Sequence, residues 1–180
     1  MRYVALLRGV NVGGNHRVPK AEFQAVLEGL GFQDVVIYIN SGNAVFTSDD
    51  EVRASVVQRA LETHFGFTIP TLVLPRDKIK AIAAAIPPGW TNDAPKPDKS
   101  GQKSDVLYLF DDINAPDILE RLGHNPEIET MLYVDGAVVA NITRKNQSKG
   151  SLQKLVGTKL YAQVTIRNIA TAKKLAELVG

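Results

Sequence analysis

The order of apolar runs and turn signals in the first 75 residues is the feature that most constrains the fold. Tyr3–Leu7 is a short apolar run without polar alternation, which predicts a strand covered on both faces. Apolar residues at helical spacing between residues 19 and 31 then predict a helix. The next two runs, Asp34–Ile39 and Asn43–Thr47, flank a Ser41-Gly42 turn signal and predict a β-hairpin.

A second helix and a fourth strand complete this pattern. Ser48–Glu51 has the spacing of a capping box, which predicts that a helix begins there. Gly66 is placed to end the helix, and Thr68–Leu74 predicts a strand in which Pro70 favours the edge of a sheet. The predicted apolar face of the helix consists of Val52, Val56, Ala60 and Leu61.

The pattern repeats beyond a proline-rich segment. Arg76–Ala85 predicts a short helix, and residues 86–103, which hold four of the nine prolines, predict a linker. The same kinds of signal then predict strands at Asp105–Phe110, Ile128–Val134, Ala137–Ile142 and Gln163–Ile166, and helices at Ala115–Leu122 (capped by Asn114), Ser151–Leu160 and Ile169–Leu178.

These elements predict an α+β fold of two tandem ferredoxin-like (βαββαβ) units, with antiparallel sheets and helices packed on them. The predicted first unit covers residues 1–75, and the helix with the proline-rich linker covers residues 76–103. The predicted second unit covers residues 104–180 and carries an extra C-terminal helix.

Composition excludes several classes of function. The chain of 180 residues has no Cys and only three His, which excludes disulfide scaffolds, thiolate metal sites and cysteine nucleophiles. We therefore expect no metal. No apolar run approaches the roughly 20 residues that span a bilayer, and no signal-peptide pattern follows Met1. We accordingly expect a cytoplasmic protein without a membrane partner.

The predicted topology brings two polar segments together. In a 4-1-3-2 strand order the first two strands run in the same direction, so their C-terminal ends lie at the same edge of the sheet. The Arg8–Val18 loop leaves one of these ends, and the turn at residues 40–43 leaves the other. We expect the loop and the turn to lie side by side.

The loop has the ingredients of an anion-binding site. Its glycines allow successive backbone N–H groups to point into one concavity, and the helix that follows adds the positive end of its dipole. Arg8, Arg17 and Lys20 add positive charge. Neither nucleotide fingerprint is present, because Asn15-His16 stands where a P-loop needs Lys-Ser/Thr and the glycine spacing is not GxGxxG. We predict no cofactor.

A second candidate position precedes the last predicted helix. Asn168 is predicted to be the N-cap of that helix. A cap and a ligand site coexist at a helix start, so Arg167 remains a candidate to face a ligand.

Several of these residues belong to a pattern that resembles a known family. Ala5–Gly14 (ALLRGVNVGG), Val18-Pro19, Ser41-Gly42-Asn43 and Thr165-x-Arg167-Asn168 resemble the bacterial domain of unknown function 1697 family over essentially the whole chain. The resemblance implies two ferredoxin-like units and no established activity. The chain departs from the family in having Lys20 where Met is usual and Ile169 where an aromatic residue is frequent. The signature positions are Arg8, Asn11, Gly13, Gly14, Ser41, Gly42, Asn43, Arg167 and Asn168.

Binding of a small anionic ligand, such as a phosphate or a nucleotide, is the first functional hypothesis. It places the ligand at the edge formed by the Arg8–Val18 loop and the Ser41-Gly42 turn. The predicted ligand-binding residues are Arg8, Asn11, Gly13, Gly14, Lys20, Ser41, Asn43, Arg167 and Asn168.

Two alternatives remain open. Residues 141–180 carry a net charge of +7 whereas residues 1–140 carry −5, and such a basic region is typical of nucleic-acid binding. The other alternative is an enzyme that acts on a phosphorylated substrate. His16 is the one titrating candidate near neutral pH at the predicted edge, and no catalytic residue is assigned.

Overall fold

The computed structural model describes residues 1–180 as two compact units. The first unit comprises Met1–Ile79 together with Leu175–Gly180, and the second comprises Lys80–Lys174. None of the helices is both long enough and apolar enough to cross a membrane.

The first unit contains one four-stranded antiparallel sheet. Its elements are β1 (Arg2–Leu7), α1 (Lys20–Gly29), β2 (Gln33–Tyr38), β3 (Asn43–Thr47), α2 (Ala54–Phe65) and β4 (Thr71–Pro75), followed by α3 (Arg76–Ala84). The strand order is β2-β3-β1-β4, as the sequence predicts. β4 is an edge strand, which explains why Pro70 is tolerated directly before it.

Alternation along β1 supplies both faces of this sheet with apolar side chains. Residues 3–7 are all buried, which confirms the prediction of a strand covered on both faces. Tyr3, Ala5 and Leu7 contribute to the core cluster on one face. The helices close this face with the buried side chains Phe23 and Leu27 from α1 and Val57 and Leu61 from α2.

The second unit contains a sheet of the same strand order. Its elements are β5 (Gln102–Leu109), α4 (Ile118–Arg121), β6 (Glu129–Val134), β7 (Ala137–Thr143), α5 (Ser151–Leu155), β8 (Val164–Asn168) and α6 (Ile169–Leu178), of which residues 169–174 belong to this unit. The order β6-β7-β5-β8 is antiparallel throughout. The chain is therefore an α+β protein with two four-stranded antiparallel sheets, which confirms the predicted fold class and sheet type.

The predicted capping box at Ser48–Glu51 is wrong. α2 begins at Ala54, and its N-cap residue Arg53 makes no side-chain hydrogen bond to the helix. Ser48 is instead held by the end of β1, because its N–H donates to the Met1 carbonyl at 2.9 Å and its hydroxyl donates to Asp50 O. The predicted apolar face is wrong in part: Leu61 is buried as predicted, but the second buried residue is Val57, and Val56 is 49% exposed.

The first hairpin has a longer turn than the sequence predicts. β2 ends at Tyr38, and Tyr38 pairs with Asn43, so four residues connect the strands instead of two. The predicted strand end at Ile39 is wrong, because the φ of 50° at this residue takes the backbone out of the extended region.

Two helices of the second unit, α4 and α5, are shorter than predicted, whereas α6 has the predicted bounds Ile169–Leu178. Asn114 does not cap a helix; its side chain accepts hydrogen bonds from Gly136 N and Tyr133 Oη at the turn of the second hairpin, and α4 begins only at Ile118. α5 ends at Leu155, and Gly157 then takes a φ of +86°. A 3-10 turn at residues 160–163 follows in place of the predicted continuous helix.

Two strands of the second unit extend into segments expected to be irregular. β5 begins at Gln102, inside the predicted linker, because residues 102–104 pair with residues 141–143 of β7. β8 runs to Asn168 through pairing of Val106 with Arg167 and Asp105 with Asn168. Arg167 therefore belongs to a strand and not to a loop before the last helix.

Candidate functional site

The Arg8–Val18 loop contains a small hairpin of its own. Asn11 N donates to His16 O at 3.0 Å, and Val12 and Asn15 form an isolated antiparallel bridge. Gly13 and Gly14 form the exposed tip with φ values of 62° and 79°. Two consecutive positive φ values are characteristic of the mirror-image turns of tight hairpins, so the glycine pair has a conformational role.

The side chain of Asn11 ties both ends of this loop to the β2–β3 turn. Its Oδ1 accepts from Val18 N at 2.8 Å, and its Nδ2 donates to Val18 O at 3.2 Å and to Asn40 O at 2.7 Å. A backbone bond from Leu7 N to Gly42 O at 2.8 Å joins the same two segments. These bonds confirm the predicted proximity of the loop and the turn.

The side chain of Asn43 stabilises the β2–β3 turn through hydrogen bonds within it. It is fully buried, and its Nδ2 donates to Tyr38 O at 3.1 Å and to Ser41 Oγ at 2.8 Å. The amide of Asn43 is therefore committed to the turn, in the same way as the amide of Asn11 is committed to the loop.

An open depression lies beside this edge. It is lined by Asn11, Gly14, Arg17, Val18, Pro19 and Asn40. α1 begins immediately after Pro19, and no side chain caps its first turn. The first N–H groups of an α-helix have no intrahelical acceptor and carry the positive end of the helix dipole. Arg17 is exposed and lies in the lining of the depression together with Pro19, the residue before α1.

The other predicted residues of the first unit are not in the lining of this depression. Arg8 is half-buried, and its N–H donates to Pro70 O at 2.9 Å. Lys20 is the exposed first residue of α1, and neither residue lines the depression. The ring of His16 stacks on Phe67, with centroids 4.7 Å apart. Glu22, in the first turn of α1, pairs with His64 at 2.9 Å and so directs its charge towards α2.

Arg167 and Asn168 belong to the second unit. Arg167 is 8% exposed and donates to Thr165 Oγ1 at 3.0 Å and to Ile166 O at 2.9 Å. Burial lowers the pKa of Arg167 to about 10, which leaves the guanidinium charged at neutral pH. Asn168 is the N-cap of α6, as predicted, since its Oδ1 accepts from Thr171 N at 2.9 Å.

A second depression, in the second unit, was not predicted. Four basic residues line it, and no acidic residue does: Lys96, Lys99, Arg144 and Lys145. Arg144 links its two walls, because its Nε donates to Asp93 O at 3.1 Å and its Nη1 donates to Gln147 Oε1 at 2.9 Å. The signal in the sequence for this depression was the pair Lys96 and Lys99, which lie in the segment interpreted as a linker.

The carboxylate of Asp93 organises the loop that carries these lysines. Its Oδ2 accepts from Gln102 N at 2.7 Å and from Thr91 Oγ1 at 3.0 Å. These hydrogen bonds, with smaller contributions from Lys96 and Arg144, hold the pKa of Asp93 below its usual value. No group of three or more His, Asp or Glu side chains in the chain is arranged to hold a metal ion.

Comparisons with known proteins agree with this fold and name no activity. The conserved bacterial protein SP0830 from Streptococcus pneumoniae has a similar structure, with a TM-score of 0.77 and 28% sequence identity over 99% of this chain and 98% of that chain. The search among curated proteins found no match. The profile of the family described as "Protein of unknown function (DUF1697)" matches residues 1–139. The chain therefore belongs to the DUF1697 family.

Proposed function

We propose that this chain binds a small anionic ligand of the phosphate or nucleotide class at the edge formed by the Arg8–Val18 loop and the Ser41-Gly42 turn. The observation that carries this function is the depression in which the exposed Arg17 lies with Pro19, directly before the start of α1, whose N-cap residue makes no side-chain hydrogen bond. Free N–H groups at a helix start together with a guanidinium provide the donors and the charge that a phosphate requires.

Each residue of the edge then has a defined role. Asn11 and Asn43 hold the loop and the turn in place through their committed amides. Arg17 and the first N–H groups of α1 contact the anion, while Gly14 leaves room for it at the wall. The charges of Arg8 and Lys20 raise the local concentration of anions.

The remaining sequence predictions enter as parts of the same proposal. Gly13 and Ser41 shape the two turns that border the depression. Arg167 and Asn168, which belong to the second unit, remain candidates to contact a ligand. We also propose that the two units are tandem ferredoxin-like units, which is supported by the same strand order in both sheets.

A titration with inorganic phosphate, AMP and ATP tests the proposed site. Amide resonances of residues 8–22 and 39–43 are expected to shift on binding, and Arg17→Gln is expected to weaken binding about tenfold, because one charge-assisted hydrogen bond is lost. Arg59→Gln is the matched control, since Arg59 is an exposed arginine on α2 of the same unit. Equal binding by both variants, or no shift with any of the three anions, contradicts the proposal.

Nucleic-acid binding is a second candidate, favoured by the basic depression of the second unit. Lys96, Lys99 and Lys145 are exposed around Arg144 without an acidic neighbour in the lining. Phosphate contacts of this kind make affinity fall steeply with salt, by a slope of about −0.9 for each phosphate neutralised on duplex DNA.

A charge-matched pair of triple variants tests this candidate. Changing Lys96, Lys99 and Lys145 to Gln is expected to reduce the salt slope for duplex DNA by about 3. The same change at three other exposed lysines of the second unit, Lys154, Lys159 and Lys173, removes the same charge and is expected to leave most of the slope. Equal loss in both variants contradicts a site at the depression, and absence of binding in low salt contradicts the function.

A further inference from the structure

The two crossing helices of the second unit are short. α1 and α2 have 10 and 12 residues, whereas their counterparts α4 and α5 have 4 and 5. The core cluster on the face of the sheet that these helices cover contains Leu107, Leu109 and Val164, with Leu155 of α5 packed in the same cluster. A cavity of about 180 Å³ lies between the sheet and the segment of residues 147–156, which contains α5.

Most of the wall of this cavity is apolar. In the register of the sheet, Lys103 pairs with Ile142 and Asp105 pairs with Ala140, so these four side chains share one face. The aliphatic wall consists of Ala140, Ile142, Leu152, Val156 and Ile166. A cavity of roughly 150 Å³ with aliphatic walls is large enough for a benzene ring, so this cavity accommodates a small aryl or branched alkyl group.

Two buried carboxylates reach the wall, and one of them is already saturated. Glu129 accepts hydrogen bonds from Asn125 N at 3.1 Å, from Ser151 N at 3.0 and 3.2 Å, and from the Ser151 hydroxyl. It is thereby committed to the start of α5. The other carboxylate, Asp105, is bonded to the ammonium of Lys103 alone.

Lys103 occupies the position that a ligand ammonium would take. The Asp105 side chain is 8% exposed and fixed on β5, whereas the Lys103 side chain is 28% exposed and has a flexible four-carbon stem. Lys103 is therefore able to move into solvent when another cation reaches Asp105. The three charged groups of the wall, Lys103, Asp105 and Glu129, sum to −1, which favours a cationic ligand over an anionic one.

We propose that this cavity binds a small amine with an apolar body, whose ammonium replaces that of Lys103 on the Asp105 carboxylate. The aliphatic wall holds the apolar body, and the carboxylate selects the charge. This site is independent of the proposed anion site, because it lies in the other unit and takes ligands of the opposite charge.

Three probes with closely similar apolar bodies test the charge selection. Phenethylamine, 2-phenylethanol and 3-phenylpropionate are titrated into the full chain, and amide resonances of residues 103–105, 140–142 and 150–156 are followed. Phenethylamine is expected to shift these resonances at a concentration at least tenfold lower than the alcohol or the acid. Equal binding of the three probes, or shifts outside the cavity alone, overturns the proposal.

Two substitutions with opposite expected effects test the replacement of Lys103. Asp105→Asn is expected to weaken phenethylamine binding about tenfold or more, because the acceptor loses its charge. Lys103→Met is expected to tighten binding, because the internal competitor is removed. Asp112→Asn, in the exposed 3-10 turn of the same unit, is the control and is expected to bind as the unsubstituted chain does.

Misfolding does not produce this pair of opposite effects. Lys103→Met decides the outcome by itself if Asp105→Asn does not fold, and the dispersion of the amide spectrum shows which variants are native. Weaker or unchanged binding by a folded Lys103→Met variant overturns the proposal.

Discussion

Gly42 lies where the β2–β3 turn passes the end of β1, and the structure leaves no room there for a side chain. Its φ is +75°, a conformation that costs a residue with a Cβ about 1–2 kcal/mol. A Cβ at this position would lie 2.7 Å from Leu7 Cβ and 2.8 Å from Val10 Cγ2. Leu7 Cβ is attached directly to the backbone of β1, so a rotamer change does not relieve the contact. Overpacking of this kind adds about 1–3 kcal/mol.

Gly42→Ala is therefore expected to lower the free energy of unfolding by about 2–5 kcal/mol. Gly66→Ala is the matched control, because Gly66 has a φ of +77° in the same unit and a Cβ added there would meet nothing within 4 Å. Gly66→Ala is expected to lower the free energy of unfolding only by the cost of the positive φ, because the added Cβ contacts no atom. Urea unfolding by circular dichroism, with hydrogen exchange of the Leu7 amide as a local measurement, compares the two. Equal losses refute the packing argument, and no loss in either variant refutes the backbone argument as well.

Three further substitutions or titrations check local features of the fold. Arg53→Ser is expected to raise the free energy of unfolding by about 0.5–2 kcal/mol in urea, because α2 gains the N-cap hydrogen bond that Arg53 does not make; a lower value contradicts this. Asn168→Ala is expected to lower it by about 1 kcal/mol, and Asn168→Asp is expected to restore it by capping α6 again. Because hydrogen bonds lower the pKa of Asp93, its stabilising contribution is complete above pH 3.8 and is lost as the pH falls through the lowered value. The shift of the Gln102 amide in an acid titration is thus expected to have its midpoint below pH 3.8, and a midpoint at or above it contradicts the assignment.

Strand positions and strand order are predictable from this sequence because they depend on local patterns. The run at residues 3–7 has no polar alternation, and such a run is stable only where both faces are covered. The Asp135-Gly136 turn fixes the second hairpin in the same local way, and β6 and β7 pair directly across it.

The start and length of the helices were less predictable, since tertiary contacts compete with the local signals. Ser48 has a good N-cap side chain, but its backbone N–H is taken by the Met1 carbonyl in a strand-like extension. Asn114 has the same capping potential, and the turn around Gly136 uses it instead. In each case the residue has several possible hydrogen-bond partners, and a segment distant in the sequence determines which of them it takes.

The basic depression and the cavity, both in the second unit, were unpredictable for a related reason. Lys96 and Lys99 meet Arg144 only because residues 102–104 pair with β7 and fold the proline-rich segment back. The cavity beside Asp105 is lined by Leu152 of α5 and by Val156 directly after it, and α5 ends five residues before the end predicted from the sequence.

The residues that carry the family resemblance and the residue that carries the proposed anion site are not the same. Asn11, Gly42 and Asn43 belong to the signature, and each is committed to holding the loop or the turn. Arg17, which supplies the charge at the depression, is outside the signature. Substitutions at Asn11 or Gly42 should therefore alter stability first and binding only as a consequence, whereas Arg17→Gln should alter anion binding at unchanged stability. Asn11, Gly42 and Asn43 thus specify the shape of this edge, and under the proposed function the basic side chain beside it selects the anion.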